Sequence, residues 1–496
     1  MVERSYNRGM TNSQREPHRR SFLQAAAASA VLGPASLTFG NEGEHAIASG
    51  EPNLVRGEVL RTAGTLGEDG KLLHEAPRQI PVAGRSTVLV CGGGPAGVAA
   101  ALAAARTGAD VRLIELAGCL GGVWTAGLLT KILDSSNKSG IMAELLKSFA
   151  ERGSSVAQST QGTVYDPEIA KLVLEELLVE AGVKILLHTR VVGAVTNRDK
   201  RIVAILTESK SGRQAWLADR FVDCTGDGDL AAQAGCDFDT GIGDDCTCQP
   251  MSMLALLTGV HPEAIREFIR ESGSSAKRKL LVLMEDAGIN PSYRAPTLRH
   301  LHSGIYSIMT NHEYGVSAFD TEAVTEATIR ARREIHDIIT GLRKLGGPWK
   351  DIAVVATAEQ IGVREGRRIR GRYEVTADDL AAGKRHDDAV CRAAFPIDVH
   401  ALSMSGNKEV DHSFRKGGLK PYDIPYRALI AADVDGLLMA GRCISGDFIA
   451  HSSYRVTGNA VAMGEAAGLA AAASADKKLL PHEMTYDAVR AATQSG

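Results

Sequence analysis

A short apolar run, Val88, Leu89 and Val90, leads into Gly92-x-Gly94-x-x-Gly97 and then an alanine-rich stretch from Val98 to Arg106. That order leaves little choice of fold. In such a strand–turn–helix unit the first glycine makes the turn and the second lets backbone approach a pyrophosphate. The third lets helix and strand pack closely. The helix start offers unpaired N–H groups and a positive dipole end to the diphosphate. A second strand run, Asp110 to Glu115, ends on a carboxylate placed for a ribose 2′-OH. Gly92, Gly94, Pro95, Ala96, Gly97 and Glu115 are therefore the expected dinucleotide contacts, with FAD or NAD favoured over NADP.

The chain has 496 residues, enough for two or three domains. Its 56 Lys and Arg against 59 Asp and Glu leave a net charge of −3, and no basic block outside the N-terminus reads as a nucleic-acid surface. No nucleic-acid partner is expected. Arg19 and Arg20, followed by Phe22 and Leu23, a mildly apolar run from Ala25 to Phe39 and a small-x-small site at Ala46–Ala48, read as a twin-arginine signal peptide over residues 1–48. A disordered arm with a chance arginine pair is the plainer alternative. Gly33 and Pro34 interrupt the run, which is too short to span a bilayer. The expected partner is thus the twin-arginine export machinery, with the mature chain periplasmic or otherwise exported and without a stable membrane span. That route carries proteins already folded around a cofactor, which agrees with the nucleotide reading.

Eight cysteines contain no CxxC; Cys246-x-Cys248 is the one close pair. Its spacing is poor for a disulfide and insufficient alone for a metal or iron–sulfur site. No metal is expected. Two loop thiols are the plain reading, a redox role near the active site the other.

Residues 49–85 read as a linker with a possible edge strand, and 86–240 as the first part of a nucleotide-binding domain. Helices are predicted from Ser139 to Arg152 and from Pro167 to Ala181, and a buried strand from Val183 to Leu187. A three-stranded meander follows over Arg190–Thr196, Arg201–Glu208 and Ala215–Val222. Residues 241–395 read as a substrate or cap domain: a strand-like Met251–Leu257, charged helices through Arg343, and an apolar run from Ile352 to Ala356. The nucleotide pattern returns over 396–480, with a strand in Asp435–Gly441 and a helix from Asn459 to Ala473, before a tail over 481–496. The pattern is α/β: a nucleotide-binding parallel sheet with an inserted β-meander, and a second, β-plus-helical domain lying over the nucleotide.

Several pieces together resemble the FAD-dependent oxidoreductase family that shares its flavin module with the flavin-carrying subunit of heterodisulfide reductase. They are the Gly92/Gly94/Gly97 turn, Leu120–Gly122, Thr225–Ala232, Gln249–Ser252, Gly362–Ile369, Ile424–Arg427, Ala440–Ser445 with Arg455, and Ala466–Gly468. They span roughly 86–473, and the second glycine turn and the arginine-rich piece are the specific ones. The resemblance implies the fold class α/β with a doubly wound, Rossmann-like FAD-binding domain, an inserted β-meander and a second, β-plus-helical substrate domain, and it implies FAD, with Gly121, Gly122, Val191, Gly226 and Asp227 among its contacts. It also implies that Gly441 and Arg442 close the pocket and that the helix near Asn459 points its N-terminus at the flavin. A helix N-terminus would stabilise the negative charge of a reduced flavin. The cysteine clusters of the heterodisulfide reductase subunit are missing, so the iron–sulfur chemistry does not transfer. Thr457–Asn459 and Gly446–Asp447 also depart from the family's pattern, which bears on the substrate.

A flavin carries out electron transfer itself, so the protein must orient substrate and move protons. His451 stands just before the flavin-facing helix, and because an unperturbed histidine titrates near physiological pH it is the candidate proton handler. Arg455 and Arg364 could clamp a carboxylate, although Glu365 also permits an internal salt bridge for Arg364. Asp398 and His400 alternate along one strand face, as substrate ligands or strand-end caps. Trp124 packs on the flavin or in the core, and Cys443 falls near the flavin. No second strand–GxGxxG–helix unit is present, so electrons are expected to pass between a small-molecule substrate and an external acceptor: oxygen, a quinone or a redox protein. An FAD enzyme of non-redox type (isomerase or group transfer), a flavoprotein with a structural cofactor, and an NAD-only enzyme remain as alternatives.

Overall fold

The computed structural model describes residues 64–67, 69–154, 157–159, 162–403 and 420–494. The twin-arginine segment 1–48 and the linker up to residue 63 lie outside them. A short hairpin pairs Gly64–Leu66 with Leu73–Glu75, and the first strand of the main sheet, β1 (Val82–Cys91), begins before the expected boundary at 86. β1 leads through the glycine turn into α1 (Pro95–Ala105) and back to β2 (Val111–Ile114). β3 (Lys184–Leu186), β4 (Arg190–Thr196), β5 (Ile202–Ser209) and β6 (Gly212–Asp223) follow. The sheet order is β3-β2-β1-β6-β5-β4, with strand Leu437–Met439 also parallel to the end of β6.

β6 does two things at once. Its first half completes the antiparallel meander against β5, from Ser209↔Gly212 to Ala204↔Leu217. Along nearly its whole length it also runs parallel to β1, ending at Asp223↔Cys91. The ends of β1, β2 and β6 therefore open on one edge, where ligands bind in open parallel sheets.

Val88, Leu89, Val90 and Cys91 are wholly buried because helices cover the sheet. Burial of each large apolar side chain is worth about 1.5–3 kcal/mol. α1 is buried nearly all round and lies against α2 (Thr457–Asp476). The contact is possible because glycines face backbone. A Cβ on Gly464 would stand 2.1 Å from the Ala96 carbonyl oxygen, and one on Gly468 2.1 Å from that of Ala100.

A second core lies within 251–363. Its antiparallel sheet has the order Thr297–His302, Ile305–Met309, Leu254–Thr258, Ala353–Thr357. Helices Ala276–Asp286 and Thr321–Lys344 bury Leu280, Met284, Ile335 and Ile339 in the same core. The first two strands fall where charged helices were expected. Arg299, His300 and His302 hide the apolar alternation, but Ser303 and Gly304, both at positive φ (47° and 74°), form a two-residue turn that marks a hairpin. Among the described residues no helix is long and apolar enough to cross a membrane.

Candidate functional site

Between the two cores lies a cavity of about 1120 Å³. One end is built mostly from backbone. Gly92 has φ +97°, and a Cβ there would stand 2.4 Å from the Cys224 carbonyl oxygen; a Cβ on Gly97 would stand 1.8 Å from that of Gly92. Gly94 differs: nothing lies within 4 Å of its Cβ position, and it faces the cavity. Glu115, at the end of β2, accepts from the Gly93 N–H (2.5 Å) and the Ala117 N–H (2.7 Å), which fixes its carboxylate at the cavity edge.

Across the cleft, the turn after β6 is held by Asp223. Its Oδ1 accepts from the Thr225 N–H (3.0 Å) and hydroxyl (2.7 Å), and its Oδ2 from the Ala231 N–H (2.8 Å). Burial pushes this carboxyl up to about 6 against those hydrogen bonds. The turn presents Gly226 and Asp227, and the Arg442 guanidinium stands 3.0 Å from the Asp227 carboxylate. The start of α2 closes the wall with Val456, Thr457 and Ala460.

The other end is built from charged side chains. Arg364 donates to the Pro250 carbonyl (2.5 Å) and the Ser252 hydroxyl (2.9 Å), with its second nitrogen 3.3 Å from His312 Nε2. Arg455 donates to Gln249 Oε1 (3.2 Å) and the Asp398 carbonyl (2.9 Å). His400 Nε2 lies 3.3 Å from the Asp398 carboxylate. Burial, then the neighbouring Arg455, lowers Arg364 to about 10. Burial, then Arg364, lowers His400 to about 4. Burial would raise Asp398, but His400, Arg455 and Arg364 hold it well below the usual carboxylate range. At neutral pH the group is an aspartate anion and a neutral histidine beside two guanidinium ions.

Several buried polar atoms at this cavity have no protein partner among the described residues: Thr457 Oγ1, Arg442 Nη1, Arg455 Nε and His400 Nδ1. Buried polar groups are nearly always satisfied, so such a set marks where a polar ligand belongs. Together with the open face at Gly94, the carboxylate at the end of β2 and a volume above the ~300–1,000 Å³ typical of ligand pockets, the wall fits a dinucleotide with room for a substrate beside it.

Of the residues singled out in the sequence, Gly92, Gly94, Pro95, Ala96, Glu115, Gly122, Val191, Gly226, Asp227, Gly441, Arg442, Arg364 and Arg455 all line this cavity. Gly97 and Gly121 sit behind it as packing positions, and Asn459 is wholly buried under the start of α2 with both side-chain polar atoms unpartnered among the described residues. His451 is not brought to the cavity wall. It is wholly buried in helix Phe448–Tyr454, edge-on to Tyr454, and burial with Arg455, Arg368 and Arg442 pushes its pKa well down. The histidine on the wall is His400. Asp398 and His400 occupy an irregular segment rather than a strand.

Glu365 pairs with Arg368 (2.7 Å), not Arg364. Trp124 is a core residue against Phe149 and Tyr165. Cys443 is buried, with its thiol at the Asp223 carbonyl, and all eight cysteines are free. Among the described residues no cluster could hold a metal ion. No periodic signal marks Tyr293, His312 or Lys131, which also belong to the site; the polar run Asn311-His312-Glu313, buried just after strand Ile305–Met309, is the one clue to them.

A family model described as FAD dependent oxidoreductase matches residues 87–492. No curated protein matches the chain. Among solved structures, p-nitrophenol 4-monooxygenase from Pseudomonas putida DLL-E4 is similar at 12% identity, covering 82% of this chain and 88% of that one, with a TM-score of 0.44. A geranylgeranyl bacteriochlorophyll reductase-like protein from Thermoplasma acidophilum is similar at 13% identity, covering 83% and 82%, with a TM-score of 0.43. A flavin-dependent brominase is similar at 11% identity, covering 83% of each chain, also at 0.43. Likenesses this distant carry nothing about activity.

Proposed function

Because the chain belongs to the FAD dependent oxidoreductase family, matched over residues 87–492, we propose that it oxidises or reduces a small organic acid beside its flavin and exchanges electrons with an external acceptor. FAD supplies the two-electron chemistry when bound. In this reading Gly92, Gly94 and the start of α1 hold the diphosphate, Glu115 the adenosine ribose, and Gly226, Asp227, Gly441 and Arg442 the chain between diphosphate and flavin. The N-terminus of α2 carries a positive dipole end that favours negative charge on a reduced ring.

The observation that carries the substrate reading is the pair Arg364 and Arg455, buried on the cavity wall with Asp398 as their neighbouring carboxylate. Guanidinium ions kept from water bind a carboxylate with charge-assisted hydrogen bonds, roughly twice as strong as neutral ones. His400 adds the proton chemistry. Its Nε2–H faces Asp398, which leaves Nδ1 as the basic atom. Burial and then Arg364 hold its pKa down, so an anion that neutralises Arg364 relieves the second of these and makes Nδ1 a stronger base. Binding and base strength are thereby linked.

The test is anaerobic addition of hydroxy acids, amino acids, sugars and amines to yellow holoprotein. Loss of flavin absorbance with acids, and not with their amides, is the expected result. Bleaching by neutral compounds alone would remove the organic acid from the reading.

An external acceptor (oxygen, a quinone or a redox protein) follows from the single GxGxxG unit in the sequence. Export rests on Arg19 and Arg20, and a double Arg→Lys variant that still left the cytoplasm would end it. The link to the flavin module of heterodisulfide reductase rests on the motif pieces Thr225–Ala232 and Gly362–Ile369.

A further inference from the structure

We propose that the substrate carries two anionic groups, carboxylate or phosphate, one seated at Arg364 and Arg455 and the other at Lys131, Arg270 and Arg299 on the same cavity wall. This deepens the reading of an organic-acid substrate and rests on it. The three cations of the second seat come from separate pieces of chain: strand Lys131–Leu133, the turn Arg270–Ser272 and strand Thr297–His302. Two of them are well covered, with side chains 10% (Lys131) and 17% (Arg299) exposed.

Gathering cations out of water is costly unless opposite charge compensates. Among the described residues, Glu271 is the carboxylate within reach of both Lys131 and Arg299. Glu271 pairs with Arg299 and lies 4.0 Å from Lys131. The carboxylates on the cavity wall are engaged elsewhere: Glu115 with backbone N–H groups, Asp134 with Lys138, Asp227 with Arg442, Asp229 with Arg367, and Asp398 with His400. The local balance shows on Lys131 itself, whose pKa burial and then Arg299 lower to about 8 in spite of Glu271. An arriving anion would offset the part of that shift that Arg299 and Arg270 contribute.

The two seats are parts of one surface. Tyr293 lines the cavity, packs against His312 with tilted rings whose centroids are 4.2 Å apart, and lies within electrostatic reach of both Arg364 and Arg299. A molecule with acidic groups at its two ends would lie along this wall, one group at each seat.

The experiment titrates holoprotein with butyrate, succinate, glutarate, adipate and phosphoglycolate, following the perturbation of the flavin absorbance band on binding. The best dianion is expected to bind at least tenfold more tightly than butyrate, about 1.4 kcal/mol. That ratio is expected to fall below threefold in Lys131→Met and in Arg270→Met. The phosphoglycolate arm tells whether phosphate or carboxylate fills the second seat. A ratio near one for every dianion, or a tenfold ratio that survives both substitutions, overturns the proposal. Should Lys131→Met lose its flavin, Arg270→Met decides alone, since the Arg270 side chain meets the fold through a long hydrogen bond to the Gly273 carbonyl (3.4 Å). Failure of the underlying organic-acid reading looks different: butyrate affinity is then indifferent to Arg455→Met.

Discussion

The nucleotide end of the cavity is made of backbone and the substrate end of side chains, and the two tolerate change in opposite ways. At the nucleotide end, glycines let a turn and two helices approach to distances that no Cβ permits, so shape is fixed by what is missing. At the substrate end, Arg364, Arg455, Asp398 and His400 are buried charged or titratable groups. Their arrangement is fixed by hydrogen bonds, of Arg455 and His400 to Asp398 and of Arg364 to Pro250 and Ser252, and their protonation by burial and neighbouring charge. Steric sites fail by misfolding, whereas electrostatic sites fail by losing affinity while the fold survives.

The harshest test of that contrast is Gly468→Val. With a Cβ 2.1 Å from the Ala100 carbonyl oxygen, α1 and α2 must separate, at an expected cost above about 3 kcal/mol. The expected outcome is colourless or insoluble protein; a yellow variant melting like the parent would show that the two helices do not meet this way.

Acid is the next lever. His400 titrates near 4 in the folded protein and near 6.5 unfolded, so as pH falls the unfolded chain takes up the proton first. Stability from this group is therefore intact above about pH 6.5 and is lost progressively down to pH 4, by about 3 kcal/mol in all. His312 and His451, also pushed down by burial, act in the same direction. Denaturant midpoints measured between pH 6.5 and 4 are expected to fall less steeply for His400→Asn. An unchanged slope would place His400 in contact with water.

Arg455→Met sharpens the comparison from the substrate side. Affinity for carboxylate inhibitors is expected to drop about thirtyfold, ~2 kcal/mol, with flavin retained. Loss of flavin with inhibitor binding unchanged would move Arg455 to the nucleotide end. The smallest effect belongs to Gly94→Ala. Its φ of −69° suits alanine, and its Cβ position is open. Apoprotein stability is expected to stay within about 0.5 kcal/mol, while the FAD dissociation constant rises about tenfold, ~1.4 kcal/mol. A destabilised apoprotein would mean that protein, not ligand, fills that space.

This division also explains which parts could be read in advance. The strand–turn–helix, Glu115 and the meander β4–β6 follow local rules of period two, turn residues and glycine spacing, and the strand boundaries agree to within a few residues. Helix α2 begins at Thr457, two residues before the expected start. The hairpin Thr297–Met309 was hidden because Arg299 faces the cavity, His302 meets Asp166 and His300 packs on Tyr306, which displaces the apolar pattern that would announce a strand. His451 illustrates the other failure. Its neighbours in sequence suggested the flavin, but the short helix Phe448–Tyr454 turns it inward, and His400, some fifty residues earlier, takes the wall position.

The order of residues alone determined a dinucleotide turn, its acidic partner and a parallel sheet, because these depend on contacts within about thirty residues and on backbone geometry that glycine permits. Only the tertiary structure decided which charges share a cavity. Arg364, Asp398 and Arg455 come from three separate stretches. Their burial, and with it their pKa values and readiness to meet an anion, is a property of the packed whole that no stretch of chain possesses by itself.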